Sequence, residues 1–144
     1  MPTDRTPVDR PAGWPRIIPH LIYDDPRAAV AWLARAFDFR ERSARRHTSP
    51  DGTIERAQMD VCDSIITLGL PSVHGESPNR GVSAMLYVYV EDVDAHHRRA
   101  VAGGARIALP LGDRPWGDRC YQATDLEGHQ WTFAQHLAEP DAER

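Results

Sequence analysis

At 144 residues the chain has one domain's length, enough to bury a real core, and its 17 Lys and Arg against 21 Asp and Glu leave a net charge of −4. No basic run carries interleaved aromatics, which excludes the usual footprint of a nucleic-acid binder. No apolar stretch nears the roughly 20 residues that span a bilayer, and two cysteines, Cys62 and Cys120, make no disulfide framework, so a reducing cytoplasm is the expected setting.

Residues 1–15 are polar and proline-rich and read as a loose arm rather than a signal peptide, with Trp14 as an aromatic that could anchor the arm on a neighbouring subunit. The first strand is expected over residues 16–23. Asp25 then caps a helix with Pro26 at its first position, where the missing N–H costs nothing. Ala29, Trp32, Leu33, Ala36 and Phe37 follow as one apolar stripe that needs a sheet to cover, so Trp32 and Phe37 are expected in the core. Strands are predicted over 39–48, 53–60 and 64–70, with Asp51-Gly52 turning the first into the second. The cluster Arg40, Arg42, Arg45 and Arg46 reads as a solvated strand edge.

A turn-rich linker, 71–82, separates module one (about 16–70) from module two (about 83–137), and 138–144 form a tail. In the second module a strand over 84–90 leads to Asp92, which caps a helix running to about Ala102, where Gly103-Gly104 stops it. Strands over 105–109, 119–124 and 130–135 complete the set. Each half is therefore strand, helix, three strands. The halves also align in sequence: Asp60 and Thr67 with Asp125 and Thr132, and the stretch from Ile18 to Asp25 with that from Met85 to Asp92. Neither half covers its own apolar sheet face, so the two should pair.

The duplicated βαβββ pattern, with Asp125-x-x-Gly128-x-x-Trp131 near its end, resembles the vicinal oxygen chelate superfamily. The segments 19–33 and 116–121 are similar to its glyoxalase/bleomycin-resistance branch. The resemblance implies an α+β fold of two tandem βαβββ modules whose curved mixed sheets form a cup-shaped pocket. It also implies a homodimer and, in metal-using members, four ligands from the first and last strands of each module. Those positions fall here on Ile18, Met85, Thr67 and Thr132. A branched alkyl group, a thioether and two neutral hydroxyls are poor ligands for Zn²⁺, Ni²⁺ or Fe²⁺, so no metal and no other cofactor is expected.

His20 shares the strand face of Ile18 and Ile22 and is paired by the repeat with Tyr87, with Tyr89 two residues on. These residues could orient a planar ligand; alternatively His20 merely satisfies a backbone carbonyl. Trp116 could form a rim and Arg119 meet an anionic group, unless Asp118 and Arg119 simply pin their loop by local pairing. Tyr121 could face either way. Trp131 and Phe133 flank Thr132 and belong to the core. His96 and His97 are adjacent on a helix and cannot share one ion, and His47, His74, His129 and His136 are scattered. Cys62 and Cys120 read as small buried residues. There is no nucleophile elbow, P-loop or dinucleotide fingerprint.

The expected ligand-binding set is thus His20, Ile22, Thr67, Met85, Tyr87, Tyr89, Trp116, Arg119, Tyr121 and Thr132. The leading reading is a metal-independent protein that sequesters an aromatic or amphipathic compound, as in the bleomycin-resistance branch, with neither membrane nor nucleic acid as partner. The rival is a lyase, isomerase or cyclase with His20 as acid/base and Tyr87 or Tyr121 as donor, or with a metal relocated to His20.

Overall fold

The computed structural model describes residues 9–71 and 84–138. The start of the arm, nearly all of the expected linker with His74, and the residues beyond Ala138 lie outside the described residues. In chain order the elements are β1 (His20–Ile22), α1 (Pro26–Phe37), β2 (Arg40–Glu41), a 3₁₀ turn (Ser43–Arg45), β3 (His47–Thr48), β4 (Ile54–Val61), β5 (Ser64–Gly69), β6 (Met85–Tyr89), α2 (Val93–Ala102), β7 (Arg106–Asp113), β8 (Asp118–Thr124) and β9 (Gln130–His136). The first sheet runs β1-β5-β4-β2 with β3 also on β4, and the second runs β6-β9-β8-β7. Each is mixed, because β1 and β6 pair in parallel with β5 and β9 while the rest are antiparallel. The architecture is two α+β modules of the βαβββ kind.

Both helices start as their sequences dictate. The Asp25 carboxylate accepts from the Ala28 amide at 3.1 Å and Asp92 does the same for Ala95. Helix α1 buries Ala29, Val30, Trp32, Leu33, Ala36 and Phe37 and ends on Asp38, which takes left-handed φ of 63°. The α2 stripe is narrower, with Val93 and Ala100 fully buried. The helices meet at Gly103, where an added Cβ would lie 2.7 Å from the Ala36 Cα; Gly104, at φ +94°, makes the turn out. Phe37 joins the halves, with Trp131 and Phe133 of β9 at ring-centroid distances of 5.8 and 4.7 Å. One continuous core therefore lies between the helix-side faces of both sheets, with Trp32, Phe37, Trp131 and Phe133 in it as expected.

Three strand boundaries differ from the sequence reading, each for a local reason. Pairing in β1 begins only after Pro19, whose carbonyl accepts from the Thr67 amide but which has no N–H to return. The strand expected over 39–48 is broken by the 3₁₀ turn, across which Arg46 forks onto Glu41 at 2.8 and 2.5 Å. The arginine cluster lies at the exposed sheet edge as expected, and it makes contacts there: Arg42 pairs with Asp60 and Arg45 lies over the Trp14 ring at 5.1 Å. Trp14 thus meets a residue of its own chain. Strand β7 continues past Pro110, which an edge strand tolerates, with register shifts on the way.

The repeat survives in the strands and fails in the turns. On the helix-free face of the first sheet His20, Thr67 and Gln58 lie in register across β1, β5 and β4; on the second sheet Tyr87, Thr132 and Gln122 do so across β6, β9 and β8. In module one Val61 pairs with Ser64, leaving only Cys62 and Asp63 in the turn, whereas Thr124 pairs with Gln130 and leaves Asp125–His129 as a loop. Asp60 and Asp125 consequently do different work. Asp60 meets Arg42 on a strand, while Asp125 is buried and accepts from the Tyr23 hydroxyl at 2.6 Å and the Trp131 indole at 3.1 Å. Cys62, expected to be buried, sits exposed in its tight turn with φ of 55°. Cys120 is buried as expected.

Candidate functional site

The helix-free face of the second sheet is organised by Asp118, the first residue of β8, whose side chain is 1% exposed. Its carboxylate accepts from the Tyr87 hydroxyl at 2.6 Å and the Tyr89 hydroxyl at 2.9 Å, and His136 Nδ1 lies 2.7 Å away. The Trp116 indole N–H donates to the Tyr87 oxygen at 3.1 Å, which makes a relay from Trp116 through Tyr87 to Asp118. Burial alone would raise the Asp118 pKa. The bonds from Tyr87, His136 and Tyr89, with the His136 charge, outweigh it and hold the carboxyl below its ordinary value. Tyr87 moves the other way, its hydroxyl held protonated by desolvation first and then by its bond to Asp118.

The rings so held face outward. Tyr89 is 57% and Trp116 51% exposed, and Met85 and Tyr87 are exposed beside them. Tyr87 and Tyr89 meet edge to face at 5.4 Å. The turn that presents Trp116 depends on Gly117: at φ +94°, an added Cβ would fall 1.7 Å from the Ala138 carbonyl oxygen. Leu137 and Ala138 amides both donate to the Gly117 carbonyl, fastening the turn to the chain that leaves β9. Tyr89 also borders a groove of about 970 Å³ between the modules, whose apolar wall includes Phe37, Phe39, Val61 and Val88.

On the first sheet, His20 Nδ1 lies 2.7 Å from the Thr67 hydroxyl, and Gln58 sits opposite Thr67 in register. A smaller cavity of about 460 Å³ adjoins Gln58, bounded by Trp14, Arg45, Arg46, His47 and Arg56. Ile22 is half-buried at the end of β1.

The structure therefore divides the expected ligand-binding set. His20, Ile22 and Thr67 belong to the first sheet's helix-free row, and Met85, Tyr87, Tyr89, Trp116 and Thr132 to the second's. Two residues lie elsewhere. Tyr121 is fully buried on the helix side, its hydroxyl 2.6 Å from His96 Nδ1. Arg119 bonds Asp94 of α2 at 2.9 Å and Asp113 of β7 at 3.1 Å, not Asp118. Alternation along β8 explains the split: Asp118 and Arg119 are neighbours and point to opposite faces. Sequence reasoning missed Gln58, Asp118 as a hub, His136 and Gly117. The one available signal was that Asp118, Cys120 and Gln122 share a parity with Tyr87 once β8 and β9 are placed in register.

The residues at the family's metal positions do not fit a metal. Thr67 is committed to His20, and the Thr132 hydroxyl donates to the Met85 sulfur at 3.0 Å. Ile18 offers no donor atom. Among the described residues no group of three or more His, Cys, Asp or Glu could hold an ion.

This duplicated fold, with its helix-free polar rows, has known relatives. A family model for the Glyoxalase/Bleomycin resistance protein/Dioxygenase superfamily matches residues 16–133, and the chain belongs to that family. It is similar to TioX from Micromonospora sp. ML1, with 39% identity, coverage of 84% of this chain and 98% of that one, and a TM-score of 0.69. An uncharacterised protein of Mycobacterium tuberculosis is 32% identical over 132 residues, 87% of this chain and 76% of the relative. A glyoxalase/bleomycin resistance protein/dioxygenase family enzyme from Burkholderia phytofirmans PsJN, 20% identical with a TM-score of 0.64 over 82% of this chain and 95% of that one, shares the fold. No helix among the described residues is long and apolar enough to cross a membrane.

Proposed function

We propose that the chain is a metal-independent binding protein that sequesters an aromatic or amphipathic small molecule on the helix-free faces of its sheets. One observation carries the reading: Tyr87, Tyr89 and Trp116 are exposed rings, yet a buried carboxylate fixes Tyr87 and Tyr89 directly and Trp116 through Tyr87. Exposed rings that are already ordered lose little side-chain entropy when a ligand stacks on them. Met85 adds a polarisable, adaptable contact at their edge. The same reading takes the protein to be cytoplasmic and, because β1 and β6 are edge strands with one side unpaired among the described residues, a homodimer. A single monomeric species in sedimentation at tens of micromolar would refute that assembly.

The function is tested with N-phenyl-1-naphthylamine, a neutral aromatic probe followed by its fluorescence. The wild type should bind it, and the double variant Y89A/W116A should bind about tenfold or more weakly, as expected for two lost rings. Candidate natural ligands incubated with the protein should be recovered unchanged by mass spectrometry. A product that forms with the wild type and not with H20A would overturn the binding reading in favour of acid/base catalysis at His20.

A further inference from the structure

Gln58 is the residue whose surroundings the binding reading leaves unexplained. It lies in the middle of β4 with 3% of its surface exposed, and its side-chain Nε2 is a buried donor with no partner. An unpaired buried amide loses its water without gaining a bond, a cost that packing alone gives no reason to retain. Its counterpart in the repeat, Gln122, has a partner, its Nε2 donating to Gln130 at 3.4 Å. Among the described residues the unpaired donor is therefore particular to the first sheet, and Gln58, the residue that carries it, lines the cavity of about 460 Å³.

The cavity wall is made of donors and positive charge. Arg56 is two residues from Gln58 on β4 and so shares its face, with His47 across the strand pair. Arg46 is already neutralised by Glu41 and, just outside, Arg42 by Asp60. Neither Arg45 nor Arg56 is paired with a carboxylate among the described residues. Arg45 is instead held by its seat over the Trp14 ring. A buried donor beside two uncompensated guanidiniums has a definite complement, an acceptor that carries negative charge.

We propose that this cavity binds an oxyanion group, carboxylate or phosphate, of a small organic ligand, with Gln58 Nε2 as the buried donor and Arg45 and Arg56 as the counter-charge. The proposal rests on the reading that the helix-free face of the first sheet receives a ligand, and it adds the ligand's charge. The chain's net charge of −4 works against it at long range. Arg45 and Arg56 act within about a Debye length, roughly 8–10 Å at physiological salt, where nearby charges outweigh distant ones.

Calorimetric titration of the full chain with 2-naphthoate, 2-naphthyl phosphate and neutral 2-naphthamide tests it. The anions should bind at least about tenfold more tightly than the amide, and increasingly so at low salt. R56Q, at an exposed position, should weaken both anions about tenfold and leave the amide unchanged. Q58L should weaken the anions likewise while melting no lower than the wild type, because it deletes an unpaired donor rather than a bond. A merely structural glutamine would instead lower the melting temperature. Tighter binding of naphthoate assigns the cavity to carboxylates, and tighter binding of the phosphate assigns it to phosphates. Equal binding of amide and anions, or anion binding untouched by both variants, overturns the anion site while leaving the aromatic binding reading intact. Failure of all three probes to bind overturns the anion site; the binding reading itself then falls only if N-phenyl-1-naphthylamine also fails.

Discussion

The fold holds both Asp118 and His96 below their ordinary pKa values, and the two titrate in different ranges. The Asp118 carboxyl is held below its ordinary value, so the stability it contributes is complete above the unfolded carboxylate range near pH 4 and is lost as pH falls through the folded value. D118N puts an amide donor where Tyr87, Tyr89 and His136 converge. It should cost about 1–3 kcal/mol, measured by urea unfolding at pH 7, and should flatten the acid limb. His96 is lowered chiefly by burial, partly offset by its bond to the Phe37 carbonyl. That carbonyl only accepts, so His96 Nε2 carries the proton at 3.1 Å and Nδ1 accepts from Tyr121. The unfolded chain takes up a proton more readily than the folded one. Stability should therefore hold above about pH 6.5 and decline as pH falls from there toward the folded value. H96Q should abolish that decline in melting curves between pH 7 and 5 while leaving the Asp118 limb in place. Of these two residues, the role of Asp118 was hidden in the sequence, because its partners come from β6 and from the far end of β9. His96 was legible only as a histidine on a helix.

At the scale of elements, the helix caps and apolar stripes were readable because they are local: Asp25-Pro26 and Asp92 act within one turn. The same holds for Thr67 and Thr132, each seven residues after the aspartate that the repeat aligns, Asp60 or Asp125. What could not be read was the antiparallel register that puts Gln58 beside Thr67 and Gln122 beside Thr132, since a turn one residue longer would have moved either out of line. The close approach of the helices was equally hidden. Gly103 reads as a helix stop, yet its φ is ordinary and its task is to let α2 reach Ala36. G103A should therefore destabilise by overpacking, about 1–3 kcal/mol, although alanine is the better helix former. A melting temperature equal to or above that of the wild type would show that α1 and α2 can shift apart without loss.

For the whole molecule, the contact between modules decides whether the halves behave as one body. The Asp125–His129 loop of module two docks on the β1–α1 junction of module one. Glu127 accepts from the Asp24 and Asp25 amides, His129 Nε2 lies 2.9 Å from the Ile22 carbonyl, and Asp125 accepts from Tyr23. The shorter Cys62–Asp63 turn makes no equivalent Tyr–Asp bond at the β6–α2 junction, where Val90 stands in the place of Tyr23, and the groove of about 970 Å³ opens there instead. With Phe37 packed on both sheets, calorimetry should show a single cooperative transition. Y23F should lower it by about 1–2 kcal/mol without splitting it, since the core stays continuous.

The sequence by itself determined the duplicated βαβββ plan, the membership of Trp32, Phe37, Trp131 and Phe133 in the core, and the non-ligand chemistry of Ile18, Thr67, Met85 and Thr132. The plan and the α1 stripe follow from periodicity and residue type; the four positions, and with them the face of β9 that carries Trp131 and Phe133, follow from the family resemblance. Only the tertiary structure decided that Asp118 gathers Tyr87, Tyr89 and His136, that Arg119 and Tyr121 turn to the helix side, and that Gln58 is left without a partner. Those outcomes depend on strand register and turn length, which bring together residues that no local spacing relates.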